Sequence, residues 1–396
     1  MSIRQDMKPL ADKIKHEFVN RYDTEPLLIR SPGRINLIGE HTDYNDGFVL
    51  PAAINREIIL AISKRRDNLC KIYAHDMQQE YEGKLYPLRR SAQGWPNYIL
   101  GVVDQYIRRG KKPAGFNCVF GGDIPIGSGL SSSAAVEGGI SFALNQLYKF
   151  KLDKIELVRI GQQAEHQFVG VKCGIMDQFI NMLAKTAKVF RIDCRSLEYT
   201  AIPFPADKVK VVLCDTHVHR ALSSSEYNLR RRQCEQGVRF LKKIDKSIHN
   251  LRDVTLNLLE VNKKGLPALI YKRCAYVIRE NARVLQGCRD FKKGDVNSFG
   301  QRMFESHTGL RDEYEVSCRE LDVLVDIASA LPGVVGARMM GAGFGGCTIN
   351  LVKKQEVESF AKNIQEQYTR RTGKIISTYT CDIAAGVSVI SYSHLK

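Results

Sequence analysis

The sequence is most informative first in what it lacks. Its eleven cysteines are odd in number, scattered, and never spaced as C-x-x-C. That pattern speaks against a disulfide scaffold and for reduced thiols in a cytoplasmic protein. No His/Cys cluster has zinc spacing; His217 and His219 would share one face of a strand but have no further ligand nearby, which leaves a surface reading. No run approaches the roughly 18 apolar residues of a membrane span. The opening MSIRQDMKPLADKIKHEFVNRY has no apolar core, so neither a signal peptide nor a membrane partner is expected. The G-x-x-x-x-G-K-[ST] loop is missing, as are H-R-D and D-F-G, which sets aside P-loop enzymes and protein kinases. Internal repeats, low-complexity tracts and a Pro/Ser/Gly linker are absent too.

What remains is a globular composition, 44% hydrophobic and 26% charged, over 396 residues. That length exceeds the roughly 250–300 residues at which one core stops growing, so two tightly packed domains are expected, with a boundary near 195–210. The formal charge of +16 attracts phosphate, nucleic acid or acidic membrane alike. Its basic clusters are short and not interleaved with aromatics, so no specific nucleic-acid partner is expected. Most of the charge reads as solvated surface and the rest as attraction for a polyphosphate.

Spacings of three and four at Met7, Leu10, Ile14 and Phe18 predict an amphipathic first helix. Leu27 to Arg30 and Phe48 to Ile62 read as strands on either side of a polar loop, Arg34 to Gly47. Helices are predicted over 95–107, 131–148, 152–168 and 174–183, with strands at 116–120, 189–192 and 210–214. Beyond residue 200 the pattern turns helix-rich, then closes with strands at 334–339 and 347–351, a helix at 356–368, and β-like segments at 375–380 and 386–390.

Four constellations carry chemistry. PIGSGLSSSAA, Pro125 to Ala135, places glycines and three serines at the start of an apolar helix. Its backbone N–H groups and dipole suit phosphate, and its hydroxyls can cap the helix, donate to phosphate oxygens or ligate Mg²⁺. SPGRINLIGEHTDYNDG, residues 31–47, crowds donors and acceptors into one stretch, as a polyhydroxylated ligand requires. In AEHQFVGVKCGIMDQF, residues 164–179, Glu165 lies on a helix, and Asp177 sits among apolar neighbours that could raise its pKa. MMGAGFGGC, residues 339–347, reads as a tight turn that lets a second backbone segment close over phosphates.

These residues resemble the galactokinase family, of the GHMP superfamily that also holds homoserine, mevalonate and phosphomevalonate kinases. PGRINLIGEHTDY resembles the galactokinase signature, GLSSSAA the shared ATP loop, CGIMDQ the catalytic-aspartate segment and MGAGFGGC the third superfamily motif; SSEYNLRRRQC at 224–234 matches as well. Met340 and Ala342 stand where many relatives have threonine and glycine, and Ser128 replaces a smaller residue.

The resemblance implies an α+β fold of two domains, a mixed α/β N-terminal domain (1–205) and a ferredoxin-like C-terminal domain (206–396), with the active site in the cleft between them. It implies ATP-dependent phosphorylation of α-D-galactose at O1, the entry step of galactose metabolism, by a cytoplasmic enzyme expected to be a monomer. Asp177 would take the proton and Arg34 stabilise the developing charge. Glu40, His41, Thr42, Asp43, Gly174, Asp177 and Tyr227 would bind the sugar. Gly127, Ser128, Gly129, Leu130, Ser131, Ser132 and Ser133 would hold the triphosphate, with Trp95 near the adenine. Ser133 and Glu165 would ligate Mg²⁺. Rival readings are a kinase for N-acetylgalactosamine or another hexose on the same frame, and a non-catalytic sensor of sugar and ATP. The intact Ser131 to Ala135 segment disfavours the sensor.

Overall fold

The computed structural model describes residues 8–125, 127–218 and 223–391. Met7, Ile126 and His219, each invoked above, lie outside the described residues. Helix α1 (Lys8–Tyr22) is followed by strands β1 (Leu27–Asn36), β2 (Phe48–Val49), β3 (Pro51–Lys64), β4 (Leu69–Ala74) and β5 (Gln79–Lys84). Helix α2 (Pro96–Arg108) and strand β6 (Phe116–Gly122) lead to three helices, α3 (Ser132–Tyr148), α4 (Lys154–Ala164) and α5 (Met176–Leu183). Strands β7 (Lys188–Asp193), β8 (Tyr199–Pro203) and β9 (Val209–Asp215) precede helices α6 (Ser223–Ile244), α7 (Leu256–Val261), α8 (Ala268–Lys292), α9 (Val296–Thr308) and α10 (Arg319–Ala330). The chain closes with β10 (Val334–Met339), β11 (Cys347–Lys353), α11 (Val357–Thr372), β12 (Ser377–Cys381) and β13 (Ser388–Val389).

The first sheet runs β13-β1-β3-β6-β4-β5. The run Ile58 to Ile62 in β3 is apolar on both faces because both are covered. Ile59 and Ala61 meet α1 through Ala11, Ile14 and Phe18, whereas Ile58, Leu60 and Ile62 face the main core with α2 to α5. Burying Ile14 and Phe18 completely contributes roughly 1.5–3 kcal/mol each. A capping box between Asp153 and Glu156 fixes the start of α4.

The second sheet is antiparallel, β10-β11-β9-β12, and is covered by α9, α10 and α11. Numbered along the chain, its strands lie in the order 2-3-1-4, which is the ferredoxin-like arrangement. A small sheet, β2-β7-β8, lies beside the first. After β12 the chain returns to the first sheet: Ile383 bridges Ile54, and β13 pairs with β1.

One expectation is corrected here. Arg34 is not at the start of a loop but inside β1, because Pro32 and Gly33 do not end the strand. They form an irregularity at which the register against β3 shifts between Pro32 and Arg34. At that point the Arg34 N–H leaves the ladder and donates to Leu130 O at 3.1 Å, so the bulge docks the strand directly onto the glycine-serine loop.

Candidate active site

The amino termini of α3 and α5 converge on a cavity of about 570 Å³, walled on the far side by the turn between β10 and β11 and by α6. Arg34 reaches its floor from the bulge in β1. Its Nε donates to Asp177 Oδ1 at 2.7 Å and its Nη2 to Asp177 Oδ2 at 2.8 Å, a bidentate pair. Asp177 lies in the first turn of α5, where the helix dipole favours an anion. Burial alone would lower the Arg34 pKa, but the charges of Asp177 and Glu40 outweigh it and hold the guanidinium cationic. Ser131, expected as a possible cap, makes no capping bond. It adopts a left-handed backbone, φ 58°, and turns its hydroxyl to Asp177 Oδ2. The first N–H groups of α3 are therefore left without a side-chain cap, beside the cavity.

On one side of this pair lies a polar cradle. Glu40 Oε1 accepts from Gly341 N at 2.7 Å, and Oε2 accepts from Asn36 Nδ2 at 3.1 Å. His41 Nδ1 is bonded to the Tyr44 hydroxyl at 2.8 Å, and its ring lies 5.4 Å from that of Tyr227. The Asp43 carboxyl is pushed up to about 7, first by burial and then by the charge of Asp177. It rests directly on Gly174: a Cβ there would lie 1.7 Å from Asp43 Oδ2. Glycine at 174 is thus required by close approach. Thr42 stands apart from the cavity; its buried hydroxyl lies 2.8 Å from Gly39 O and 2.6 Å from Phe48 O, and so shapes the turn that presents its neighbours.

On the other side lie Gly127, Gly129, Ser131, Ser132 and Ser133, with Gly341 and Ala342 opposite. Ser128 and Leu130 do not line the cavity. The Ser128 hydroxyl caps back onto Pro125 O at 2.7 Å, its carbonyl accepts from Cys347 N at 3.1 Å, and the Leu130 side chain joins the core. The two glycine segments are therefore joined by one backbone bond. Met340 points into the core, so the third motif presents Gly341 and Ala342 instead. Trp95 also lies outside the lining, its ring 5.8 Å from that of Phe120.

Glu165, at the head of a π-helical turn (Glu165–Val169), is buried at the cavity wall, and its carboxyl is pushed up to about 7 by burial and by Asp177. Glu137 packs beside it and is raised well above the usual carboxylate range, by burial and by Glu165. Two carboxyls so placed repel unless one holds a proton or a cation lies near. An oxygen-only set, the Ser133 hydroxyl and the Glu165 carboxylate, fits Mg²⁺. Among the described residues no cluster of three His, Cys, Asp or Glu is arranged to hold a metal, so substrate oxygens would have to complete the shell. His217 bonds Ser377 Oγ at 3.0 Å on the surface.

Val171, Cys173 and Met176, which the sequence placed in the 164–179 segment without a role, also line the cavity, as does Tyr98, which it placed only on a helix. Glu137 was within reach of the sequence reading, since four residues after Ser133 it falls on the same face of α3. Tyr98 carried no signal, because its place depends on the packing of α2 against the π-helical turn after α4.

A helix-opening phosphate loop, a buried Arg/Asp pair and a second glycine turn, spread over a mixed domain and a ferredoxin-like sheet, define a small-molecule kinase of the GHMP class. The description "GHMP kinases N terminal domain" matches residues 97–185, and "GHMP kinases C terminal" matches residues 289–370. The "Galactokinase galactose-binding signature" matches residues 16–64. A galactokinase of Roseiflexus sp. is 41% identical over 376 residues, 95% of this chain and 96% of that one. A galactokinase of Chloroflexus aurantiacus is 42% identical over 364 residues, 92% and 93% of the two chains. The crystal structure of Lactococcus lactis galactokinase complexed with galactose superposes with a TM-score of 0.92 at 32% identity, covering 96% of this chain and 99% of that one. The chain belongs to the galactokinase family. A mevalonate kinase from Methanococcus jannaschii, with a TM-score of 0.64 at 18% identity over 90% of this chain and 98% of that one, shares the fold.

Proposed function

We propose that the protein transfers the γ-phosphoryl group of ATP to the 1-hydroxyl of α-D-galactose, giving galactose 1-phosphate and ADP. The observation that carries this reading is the bidentate Arg34–Asp177 pair, set between a polar cradle and an uncapped helix amino terminus. Glu40, His41, Asp43 and Tyr227 bind sugar hydroxyls, and the bare Gly174 makes room for the Asp43 carboxyl. Asp177 accepts the O1 proton as the O1 lone pair attacks the γ-phosphorus and the bond to the β-phosphate oxygen breaks. Arg34 holds Asp177 in place and offsets the charge spread over the transferring group. The first N–H groups of α3, with Ser132 and Ser133, receive the triphosphate.

Ser133 and Glu165 would hold Mg²⁺, which when bound neutralises phosphate charge. The raised Glu165 carboxyl supports this assignment, since a buried anion beside other anions invites a cation. Thr42, Ser128 and Leu130 serve the site by shaping its backbone. We further propose that the enzyme acts in the cytoplasm as a monomer. Eleven unbridged cysteines support the first point.

A coupled ADP-release assay over a panel of sugars tests the reading. Galactose should be the preferred acceptor; a clear preference for N-acetylgalactosamine or another hexose would overturn it.

A further inference from the structure

We propose that Arg338 is a positioning residue: it fixes Glu40 in the sugar cradle and, through Glu40, ties that cradle to the glycine turn on the phosphate side. The proposal rests on the reading of Glu40 as a sugar ligand. Arg338 stands near the end of β10 with its side chain fully buried. From the second sheet it reaches across to the end of β1. Nε donates to Leu37 O at 2.8 Å, Nη1 to Met339 O at 2.7 Å, and Nη2 to both Asn36 O and Glu40 Oε1, the latter at 3.2 Å. The same Glu40 oxygen accepts from Gly341 N at 2.7 Å. One carboxylate oxygen thus joins the cation on β10, the turn that follows β10 and the cradle.

Neighbouring bonds act in the same sense. The Tyr276 hydroxyl donates to Glu40 O at 3.0 Å, and Gly39 N donates to Glu280 Oε1 at 2.8 Å, so α8 grips the segment as well. A buried cation is tolerated only with its anion and hydrogen bonds in place. Arg338 therefore constrains Glu40 as firmly as Glu40 satisfies Arg338. A lysine could keep the charge, but its three donors sit on one nitrogen and could not span the four acceptors that Nε, Nη1 and Nη2 reach.

A buried arginine could instead be a strut for the fold, and the test separates the two roles. Arg30 makes the same kinds of bond away from the cavity: to Glu57, and to Gly386 O and Ala385 O, both at 3.1 Å. R338K and R30K should lower Tm to a similar degree. By calorimetric titration R338K should weaken galactose binding by about tenfold or more, the scale of one lost hydrogen bond to a charged group, and raise KM for ATP with kcat changed less. R30K should leave galactose affinity unchanged. Galactose affinity in R338K equal to that of the wild type would overturn the proposal.

Should R338K fail to fold, Y276F removes one bond to the same segment, and galactose binding should weaken severalfold; no change would count against the proposal. A double-mutant cycle of R338K with E40Q should be strongly non-additive in galactose KM, and additive effects would refute the link. Wild-type protein that binds no galactose would sink the sugar reading first, and this proposal with it.

Discussion

Replacing Asp177 by asparagine is the most demanding test of the site, because the structure sets several of its consequences. The carboxylate accepts from two nitrogens of Arg34 and from the Ser131 hydroxyl. An asparagine offers one acceptor and turns an NH₂ group toward a donor, and only the Ser131 hydroxyl can rotate to accept it. Arg34, with its side chain 7% exposed, would keep one of its two bonds to residue 177 and lose the neutralising charge. Breaking a fully buried ion pair costs about 3–5 kcal/mol, and this one costs less because the Asp177 side chain is 26% exposed. Part of that cost is returned, because Asp177 is the second cause, after burial, of the raised Asp43 and Glu165 carboxyls. A net loss of about 1–3 kcal/mol is expected. Loss of a positioned base alone lowers turnover about 10²- to 10⁴-fold. Coupled ADP release should show such a fall in kcat while titration still detects galactose binding. A further signature should accompany it: with the Asp177 charge gone, Asp43 ionises at lower pH, and any pH dependence of galactose binding around pH 7 shifts downward. A folded, sugar-binding D177N with wild-type turnover would refute the assignment.

Gly174→Ala should force the Asp43 carboxyl to move, since the added carbon would sit 1.7 Å from Oδ2; galactose Kd should rise at least about tenfold, with about 1–3 kcal/mol lost in thermal melts. The raised Asp43 and Glu165 carboxyls favour the protonated folded state, so their contribution to stability is complete below about pH 4 and lost as pH rises through 7. The ligand-free protein should thus lose stability progressively between about pH 4 and 7 and change little above that range. Glu165→Gln should remove up to roughly 3 kcal/mol of that slope, and an unchanged slope in this variant would contradict the assignment. Chelation of divalent cations should weaken ATP binding at least about tenfold in wild type and far less in Glu165→Gln, read by titration with the nucleotide alone.

Elements with a clear period were legible in the sequence. Leu10, Ile14 and Phe18 mark α1, and the apolar stretch after Ser133 marks α3. The β4–β5 hairpin was not, because β5, reading QEYEGK, is an exposed edge strand of mixed polarity with no buried face to impose alternation. Within the site, residue types chosen for chemistry fell together: Arg34, Glu40, His41, Asp43, Glu165, Asp177 and Tyr227 share one cavity. Their backbone logic was hidden. That Arg34 sits on a bulge rather than in a loop, that Ser131 serves Asp177 rather than its own helix, and that Cys347 N closes on Ser128 O are all long-range pairings, to which local pattern is blind. Trp95 shows the converse: a residue placed by likeness to a family, which the fold sets against Phe120 outside the cavity lining.

The charge of the cavity also revises what the composition suggested. A net charge of +16 draws a triphosphate toward the chain by its field. Yet among the described residues the cavity is lined by four carboxyl groups, Glu40, Asp43, Glu165 and Asp177, against one guanidinium, Arg34, which is already paired. The lysines and arginines that the structure describes outside the lining act on approach, through the field of the whole chain. Among the described residues, attraction within the site would come from the N–H groups opening α3, its dipole and, on the proposal above, a cation at Glu165 and Ser133. This accounts for a phosphate loop that works without a lysine. The same crowding adds to burial in pushing the Asp43 and Glu165 carboxyls up to about 7. Sugar hydroxyls, which need acceptors, gain from the same excess of carboxylate that a bare triphosphate would be repelled by. The acidic cradle and a phosphate side that would call for a cation are thus two results of one charge balance, and Arg34 stands where they meet.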